Sequence, residues 1–134
     1  MTRNVSTQQL AQSILERRTD FQPKIGIILG SGLADIANKM TDCISIPYAE
    51  LTGFPVSSVV GHHGKMILGY LNKIPIVCCQ GRVHLYEGMQ GKDFKLFIRT
   101  LKCLGCHTLI MTNAVGSLNK KSNSSFFKVF SRSF

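Results

Sequence analysis

The sequence lacks any segment suited to crossing a membrane or directing export. No apolar run approaches the roughly 20 residues of a membrane-spanning helix, and Met1–Val5 is not followed by the apolar core of a signal peptide. The 134 residues include five cysteines, an odd number that does not suit a disulfide framework. These absences argue against a membrane protein and a disulfide-bonded secreted domain, and they predict a cytoplasmic protein.

Acidic residues are also scarce, with seven Asp and Glu against sixteen Lys and Arg and a formal net charge of +9. Such a balance is typical of nucleic-acid-binding modules. However, four of the basic residues lie in the segment 120–134, so the rest of the chain carries +5, and no recognised nucleic-acid motif is present. That segment is too short and too weakly amphipathic to indicate a membrane-surface helix. We therefore expect neither a nucleic-acid nor a membrane partner.

The pattern that is present alternates helices with short apolar strands. Ser6 and Gln9 form a possible capping box at the start of a first helix. A later helix at about 93–104 ends before Gly105. Strands are predicted near 24–29, 43–47, 65–71, 74–79 and 108–112. This succession predicts one α/β domain with a mixed central sheet and flanking helices.

The cysteines are interpreted as structural. Free cysteines commonly pack as small hydrophobes, and we expect this of Cys43, Cys78, Cys79 and Cys103. The run Cys103-Leu104-Gly105-Cys106-His107 matches a haem-attachment motif and half of a zinc site. No second C-x-x-C completes a metal site and no export signal accompanies the haem motif, so neither cofactor is favoured.

A small-residue turn, Gly30-Ser31-Gly32, follows the apolar stretch Lys24–Leu29. Its backbone N–H groups and the Ser31 hydroxyl could hold a phosphate. Asp35 stands where the dinucleotide fingerprint has its third glycine, the lysine of a Walker loop is missing, and the turn does not fit the nucleophile elbow of hydrolases. On these residues alone, phosphate binding and an ordinary strand-to-helix turn fit equally well.

A polar row is the most informative feature of the chain. If Gln80–Gly88 is extended, Arg82, His84 and Tyr86 share one face, because alternate side chains of a strand point the same way. A guanidinium that can grip two oxygens, beside an imidazole and a phenol, suits a small oxyanion. Metal binding is the weaker alternative, because carboxylate partners are lacking near the three histidines of this region, His62, His63 and His84.

Four motifs follow one another along the chain: GSGL at 30–33, GHHG at 61–64, QGRVHLYEG at 80–88 and TNAVGSLN at 112–119. Their order resembles the trimeric class of purine nucleoside phosphorylases, whose segments read GSGL, GHxG, QGRxHxYEG and TNAAGG. The third motif is the most specific. The resemblance covers about residues 6–119 and implies a nucleoside phosphorylase-like fold and a homotrimer.

The resemblance implies a role for individual residues. Phosphate binding is implied for Ser31, His62, Arg82, His84 and the backbone of Ala114. The nucleoside is implied to contact Tyr86 at the ribose and Ala114, Val115 and Gly116 around the rest of the pocket. Glu87 is implied to orient His84. Val115 and Ser117 replace the family's alanine and glycine and add bulk beside the purine.

The implied reaction is phosphate-dependent cleavage of the N-glycosidic bond of purine nucleosides and deoxynucleosides, a transferase step of purine salvage. Phosphate attacks the anomeric carbon through an oxocarbenium-like transition state. The protein must then position phosphate and stabilise charge, and it needs no nucleophilic side chain. Purine nucleoside and inorganic phosphate are the implied substrates, with no metal or organic cofactor.

Residues 120–134 fall outside the family pattern, with four of the eight Phe and no acid. The C-terminal half that supplies the family's base-binding groups has no counterpart. We therefore expect residues 1–119 to be the N-terminal part of a single phosphorylase-like domain, apparently truncated, and 120–134 to be an unrelated basic tail. The alternative is a catalytically inactive fragment that retains a phosphate- and nucleoside-binding half-site.

Overall fold

A computed structural model describes residues 5–30, 32–56, 64–81, 90–113 and 118. The elements in these ranges are α1 (Thr7–Leu15), β1 (Ile25–Leu29), α2 (Asp35–Asn38), β2 (Thr41–Pro47), a 3-10 turn (Tyr48–Glu50), β3 (Lys65–Leu71), β4 (Ile74–Gln80), α3 (Gly91–Cys103) and β5 (Thr108–Met111). The five predicted strands and both predicted helices are confirmed, with ends that differ by at most two residues.

The strands form one mixed sheet in the order β2-β3-β4-β1-β5. β1 lies parallel to both of its neighbours, with Leu29 opposite Gln80 of β4 and Ile28 opposite Met111 of β5. β3 is antiparallel to β2 and to β4. The predicted mixed central sheet is therefore confirmed.

Both long helices have the boundaries that their sequences favour. The Ser6 Oγ accepts a hydrogen bond from the Gln9 N–H at 3.2 Å, and the Gln9 Oε1 accepts one from the Ser6 N–H at 2.9 Å, which completes the capping box of α1. After α3, Gly105 adopts a φ of +104°, a left-handed conformation that suits glycine and ends the helix. No helix among the described residues is long and apolar enough to cross a bilayer.

Apolar side chains cover both faces at the centre of the sheet. On one face, Ile28 belongs to a cluster with Ile14 of α1 and Leu101 of α3. On the other face, Ile27 belongs to a cluster with Ala37 of α2. Successive residues of β1 thus join opposite clusters, which explains why its sequence is almost continuously apolar.

The expectation for two of the cysteines is wrong. Cys43 and Cys103 are exposed, whereas Cys78 and Cys79 are buried as predicted. Cys43 lies in β2, an edge strand whose residues are mostly exposed, and Cys103 is the last residue of α3. Cys106, which the sequence did not place, is buried. An apolar neighbourhood in sequence therefore indicated burial correctly only for the central strand β4.

Candidate functional site

The four sequence motifs join the sheet at the same end of its strands. We call this side of the sheet the site edge. The parallel strands β4, β1 and β5 end there, with Leu29 beside Gln80 and Ile28 beside Met111. The antiparallel strand β3 begins there, with Lys65 opposite Gln80. GSGL and TNAVGSLN therefore leave the sheet at this edge, QGRVHLYEG begins on it, and GHHG arrives at it. Ligands of α/β sheets characteristically bind beyond the carboxyl ends of the strands.

The predicted site residues themselves lie outside the described residues. They are Ser31, His62, Arg82, His84, Tyr86, Glu87, Ala114, Val115 and Gly116. The structure does describe the residues by which each motif joins the sheet. These junctions fix where each segment enters or leaves the site edge.

The GSGL and TNAVGSLN motifs are joined by direct backbone contact. The Gly30 N–H donates to the Thr112 Oγ1 at 2.8 Å, and this hydroxyl donates to the Ile28 carbonyl at 3.3 Å. A Cβ built on Gly30 would lie 2.5 Å from the Thr112 carbonyl oxygen and 2.9 Å from the Asn113 Cα. Position 30 therefore requires glycine, because the backbone of the other motif passes against it.

The GHHG and QGRVHLYEG motifs are joined through a tyrosine. Tyr48 follows β2 and is only 1% exposed. Its N–H donates to the Gly64 carbonyl at 3.0 Å, and its hydroxyl donates to the Gly81 carbonyl at 3.0 Å. A Cβ on Gly81 would lie 3.1 Å from the Gly64 Cα, so the two glycines also approach each other directly. Gly81 has a φ of +85°, which favours glycine.

Burial disfavours ionisation of the Tyr48 hydroxyl. Desolvation raises the pKa of its hydroxyl well above the ordinary value, and the neighbouring Cys79 raises it further. The phenol, which is protonated at physiological pH even at its ordinary pKa, therefore also stays protonated at alkaline pH. Its chemical role at this position is to donate the hydrogen bond to the Gly81 carbonyl.

The far end of the QGRVHLYEG segment leads into α3, where a second junction holds it. The Gln90 N–H donates to the Asp93 Oδ2 at 2.8 Å, and the Asp93 N–H donates to the Gln90 carbonyl at 2.9 Å. Further along α3, the Phe97 ring meets the Tyr48 ring edge-on, with 5.7 Å between the centroids. Residues 82–89 thus connect two anchored points.

A surface groove of about 440 Å³ lies away from the site edge. Its lining includes Gln8 and Gln12 of α1, Glu16 directly after that helix, and Cys103 at the end of α3. Cys103 comes shortly before the amino end of β5, so the groove lies toward the opposite edge of the sheet. Within the described ranges, no group of three or more His, Cys, Asp or Glu side chains is placed to hold a metal ion.

Sequence reasoning did not identify Tyr48 or Thr112 as contributors to the site edge. Thr112 opens the TNAVGSLN motif, and its hydroxyl at the end of a predicted strand was a usable signal. Tyr48 lies outside all four motifs. Nothing in its local sequence indicates a contact with Gly81, because that contact depends on how β2, β3 and β4 pair.

Comparison with known proteins places the described fold among phosphorylases. A family model for the phosphorylase superfamily matches residues 24–124. The chain is 45% identical over 114 residues to a purine nucleoside phosphorylase of Anopheles gambiae, an alignment that covers 85% of this chain and 32% of that protein.

Two solved structures from Schistosoma mansoni are similar in fold. One is a purine nucleoside phosphorylase in complex with inosine, with a TM-score of 0.80 and 40% identity over 87% of this chain and 40% of that chain. The other is isoform 2 of the purine nucleoside phosphorylase with cytosine and ribose-1-phosphate, with a TM-score of 0.79 and 36% identity over 90% of this chain and 42% of that chain. The chain therefore spans between 32% and 42% of the length of these relatives.

Proposed function

The chain belongs to the phosphorylase superfamily, and from that premise we propose that it forms the phosphate- and ribose-binding part of a purine nucleoside phosphorylase. The observation that supports the proposal most strongly is that all four motifs meet the sheet at one edge. Motifs that are far apart in sequence could contribute to one site only if the fold brought their junctions together.

In this proposal, phosphate is held by side chains from three segments and by backbone from the fourth. The residues are Ser31, His62, Arg82, His84 and the backbone of Ala114. The Arg82 guanidinium pairs with two phosphate oxygens, since its planar fork matches their spacing. His62, His84 and Ser31 donate hydrogen bonds to the remaining oxygens.

The nucleoside is proposed to lie beside this phosphate. Tyr86 contacts the ribose, Glu87 orients His84, and the small residues of TNAVGSLN line the pocket as Ala114, Val115 and Gly116. Inosine is present in one related structure, which supports a purine nucleoside as substrate. The bulk of Val115 and Ser117 beside the base would influence which purine fits best.

The proposed reaction is phosphorolysis. A phosphate oxygen attacks the anomeric carbon, the N-glycosidic bond breaks with its electron pair moving to the base, and the products are free base and ribose 1-phosphate. Positive charge develops on the sugar in the transition state. The bound phosphate lies next to that charge, so holding the anion in place lowers the barrier without a covalent intermediate.

The remaining proposals concern the setting of the reaction. We propose inorganic phosphate as co-substrate without a metal or organic cofactor, a homotrimer, and a cytoplasmic location. We also propose that residues 1–119 form the N-terminal part of a single phosphorylase-like domain and that 120–134 lie outside it. Deletion of 120–134 should then leave phosphate affinity unchanged.

A second candidate function is binding without catalysis. It is favoured by the fact that the chain spans 32% of the Anopheles gambiae relative and 40% of the inosine-bound one. Catalytic groups that act as a unit lose most of their rate when some are missing. A half-site of this kind would bind phosphate and nucleoside without releasing base.

One pair of assays separates these candidates on the 134-residue chain. Phosphate-dependent release of hypoxanthine from inosine supports the enzyme, and saturable phosphate binding without release supports the half-site. In calorimetric titration, Arg82→Ala should weaken phosphate binding by about 1.5–3 kcal/mol, the usual contribution of a hydrogen bond to a charged group. Arg99→Ala, which removes an exposed arginine of α3, is the matched control. Absence of both binding and release would refute both candidates.

A further inference from the structure

Tyr48 links two of the segments that carry the proposed phosphate ligands. We propose that it is a positioning residue, which sets the distance between Gly64, where the segment with His62 joins β3, and Gly81, where the segment with Arg82 and His84 begins. The inference rests on the proposed function, because its consequence for phosphate requires that these segments form the phosphate site.

Tyr48 makes two of its hydrogen bonds just beyond the last paired residues of β3 and β4. The pairing of β3 with β4 ends at Lys65 and Gln80. The next residues outward, Gly64 and Gly81, are held by Tyr48, whose N–H bonds the first carbonyl and whose hydroxyl bonds the second, each at 3.0 Å. One residue thus continues the junction beyond the last paired residues of the two strands, at the points where the two segments meet the sheet.

The Tyr48 ring is also tightly confined. A Cβ on Gly64 would lie 2.2 Å from the Cε2 of Tyr48 and 2.3 Å from its Cδ2, so the ring packs directly against the glycine backbone. The ring of Phe54 is 4.9 Å away between centroids, and that of Phe97 is 5.7 Å away. Because the ring is packed on several sides, the position of its hydroxyl is fixed, and with it the position of the Gly81 carbonyl.

The hydroxyl of Tyr48 distinguishes a positioning role from core packing alone. A phenylalanine at position 48 would fill the same space, so what tyrosine adds is its hydroxyl, which bonds the Gly81 carbonyl and lies beside the Cys79 thiol. A buried hydroxyl without a partner is costly, and so is a buried carbonyl. A tyrosine at position 48 is therefore explained by the hydrogen bond that its hydroxyl donates to the Gly81 carbonyl. Gly81 is the residue directly before Arg82.

Tyr48→Phe is the test, because it removes the hydroxyl, with its bond to Gly81 and its contact with the Cys79 thiol, and keeps the packed ring. Tyr70→Phe makes the same chemical change on a ring that packs edge-on against Phe21, toward the other end of β3. In the 134-residue chain, Tyr48→Phe should weaken inorganic phosphate binding about three- to tenfold, the equivalent of one neutral hydrogen bond. Tyr70→Phe should leave that affinity within about twofold, since changes without a shared partner do not couple.

Hydrogen exchange provides a readout that does not depend on phosphate. In Tyr48→Phe, the amides of Gly64 and Gly81 should exchange faster than in the unmodified chain, while those of β1 should keep their rates. A uniform increase across the sheet would show a purely structural role and overturn the inference, as would unchanged phosphate affinity in Tyr48→Phe. If the unmodified chain binds no phosphate, the proposed function fails, and the exchange pattern alone decides whether Tyr48 holds the two segments.

Discussion

Gly30 and Thr112 are 82 residues apart in sequence, yet the Gly30 N–H donates to the Thr112 Oγ1 at 2.8 Å. The Thr112 N–H in turn donates to the Ile28 carbonyl at 3.0 Å. These two bonds extend the pairing of β1 with β5 past Met111, the last residue of β5, and into the motifs that follow. The GSGL and TNAVGSLN motifs therefore leave the sheet side by side, with their first residues held together.

The close approach at Gly30 predicts a large cost for even one added methyl group. Gly30→Ala would place its Cβ 2.5 Å from the Thr112 carbonyl oxygen, so the backbone must shift. We expect the free energy of unfolding to fall by about 1–3 kcal/mol, the usual cost of overpacking. Urea denaturation measures it. Gly91→Ala, where a Cβ would meet open space, is the control and should not destabilise the protein; equal stability of the two variants would contradict the account.

The contact between Gly64 and Tyr48 predicts that their substitutions are coupled. Gly64→Ala places a Cβ 2.2 Å from the Tyr48 ring and should be strongly destabilising. In the double variant with Tyr48→Leu, the obstructing ring is absent. The stability lost in the double variant should therefore be smaller than the sum of the losses in the two single variants, by at least about 0.5 kcal/mol. A double-mutant cycle from urea melts checks this. Strict additivity would mean that the ring and the glycine do not touch.

Thiol reactivity should follow the burial of the five cysteines. Under native conditions a thiol reagent should label Cys43 and Cys103, which are exposed, and spare Cys78, Cys79 and Cys106, which are buried. Cys43 should be labelled more slowly than a thiol of ordinary pKa, because desolvation raises the pKa of its thiol and so lowers the thiolate fraction. All five should react in urea. Mass spectrometry of the labelled peptides identifies the sites, and rapid native labelling of Cys78 would be inconsistent with the structure.

The buried thiols also predict a loss of stability at alkaline pH. Burial raises the pKa of Cys78 from 9.0 to about 11 and that of Cys106 from 9.0 to about 12. Between pH 9 and 11 the unfolded chain ionises Cys78 while the folded chain keeps its proton. Unfolding then releases protons, so stability is fully present below pH 9 and falls as pH rises.

Urea melts at several pH values test this dependence. Cys78→Ala should lower stability at pH 8 through lost packing and should make the decline from pH 9 to 11 shallower. Cys103→Ala removes an exposed thiol and should leave the decline unchanged. If the Cys78→Ala chain declines as steeply as the unmodified one, ionisation of this thiol does not drive the loss.

The elements that sequence predicted well are those determined by local patterns. The Ser6 and Gln9 pair placed the start of α1 because both partners of a capping box lie within one turn. The apolar run of β1 predicted a strand because it is buried on both faces. The prediction that Cys43 packs as a small hydrophobe was wrong because its local pattern resembled that of a buried strand, whereas β2 is an outermost strand of the sheet.

The parts of the site that sequence missed depend on contacts between distant segments. The bond from Tyr48 to Gly81 spans 33 residues and arises only once β2, β3 and β4 have paired. Likewise, the need for glycine at position 30 comes from the backbone of Asn113, not from the turn in which Gly30 lies. The motifs indicated candidate site residues from sequence alone. The register of the sheet determined which of the motif ends lie side by side.

The central claim is that the four motifs form one phosphate site at the site edge. Phosphate titration of the 134-residue chain, followed by amide NMR, tests this claim most directly. We expect saturable shifts with a single dissociation constant at the junction amides, which are those of Gly30, Gly32, Gly64, Gly81 and Thr112. Lys73 and Gly105, at the opposite edge, should not shift. Shifts that never saturate, or that appear at Lys73 and Gly105 instead, would contradict it.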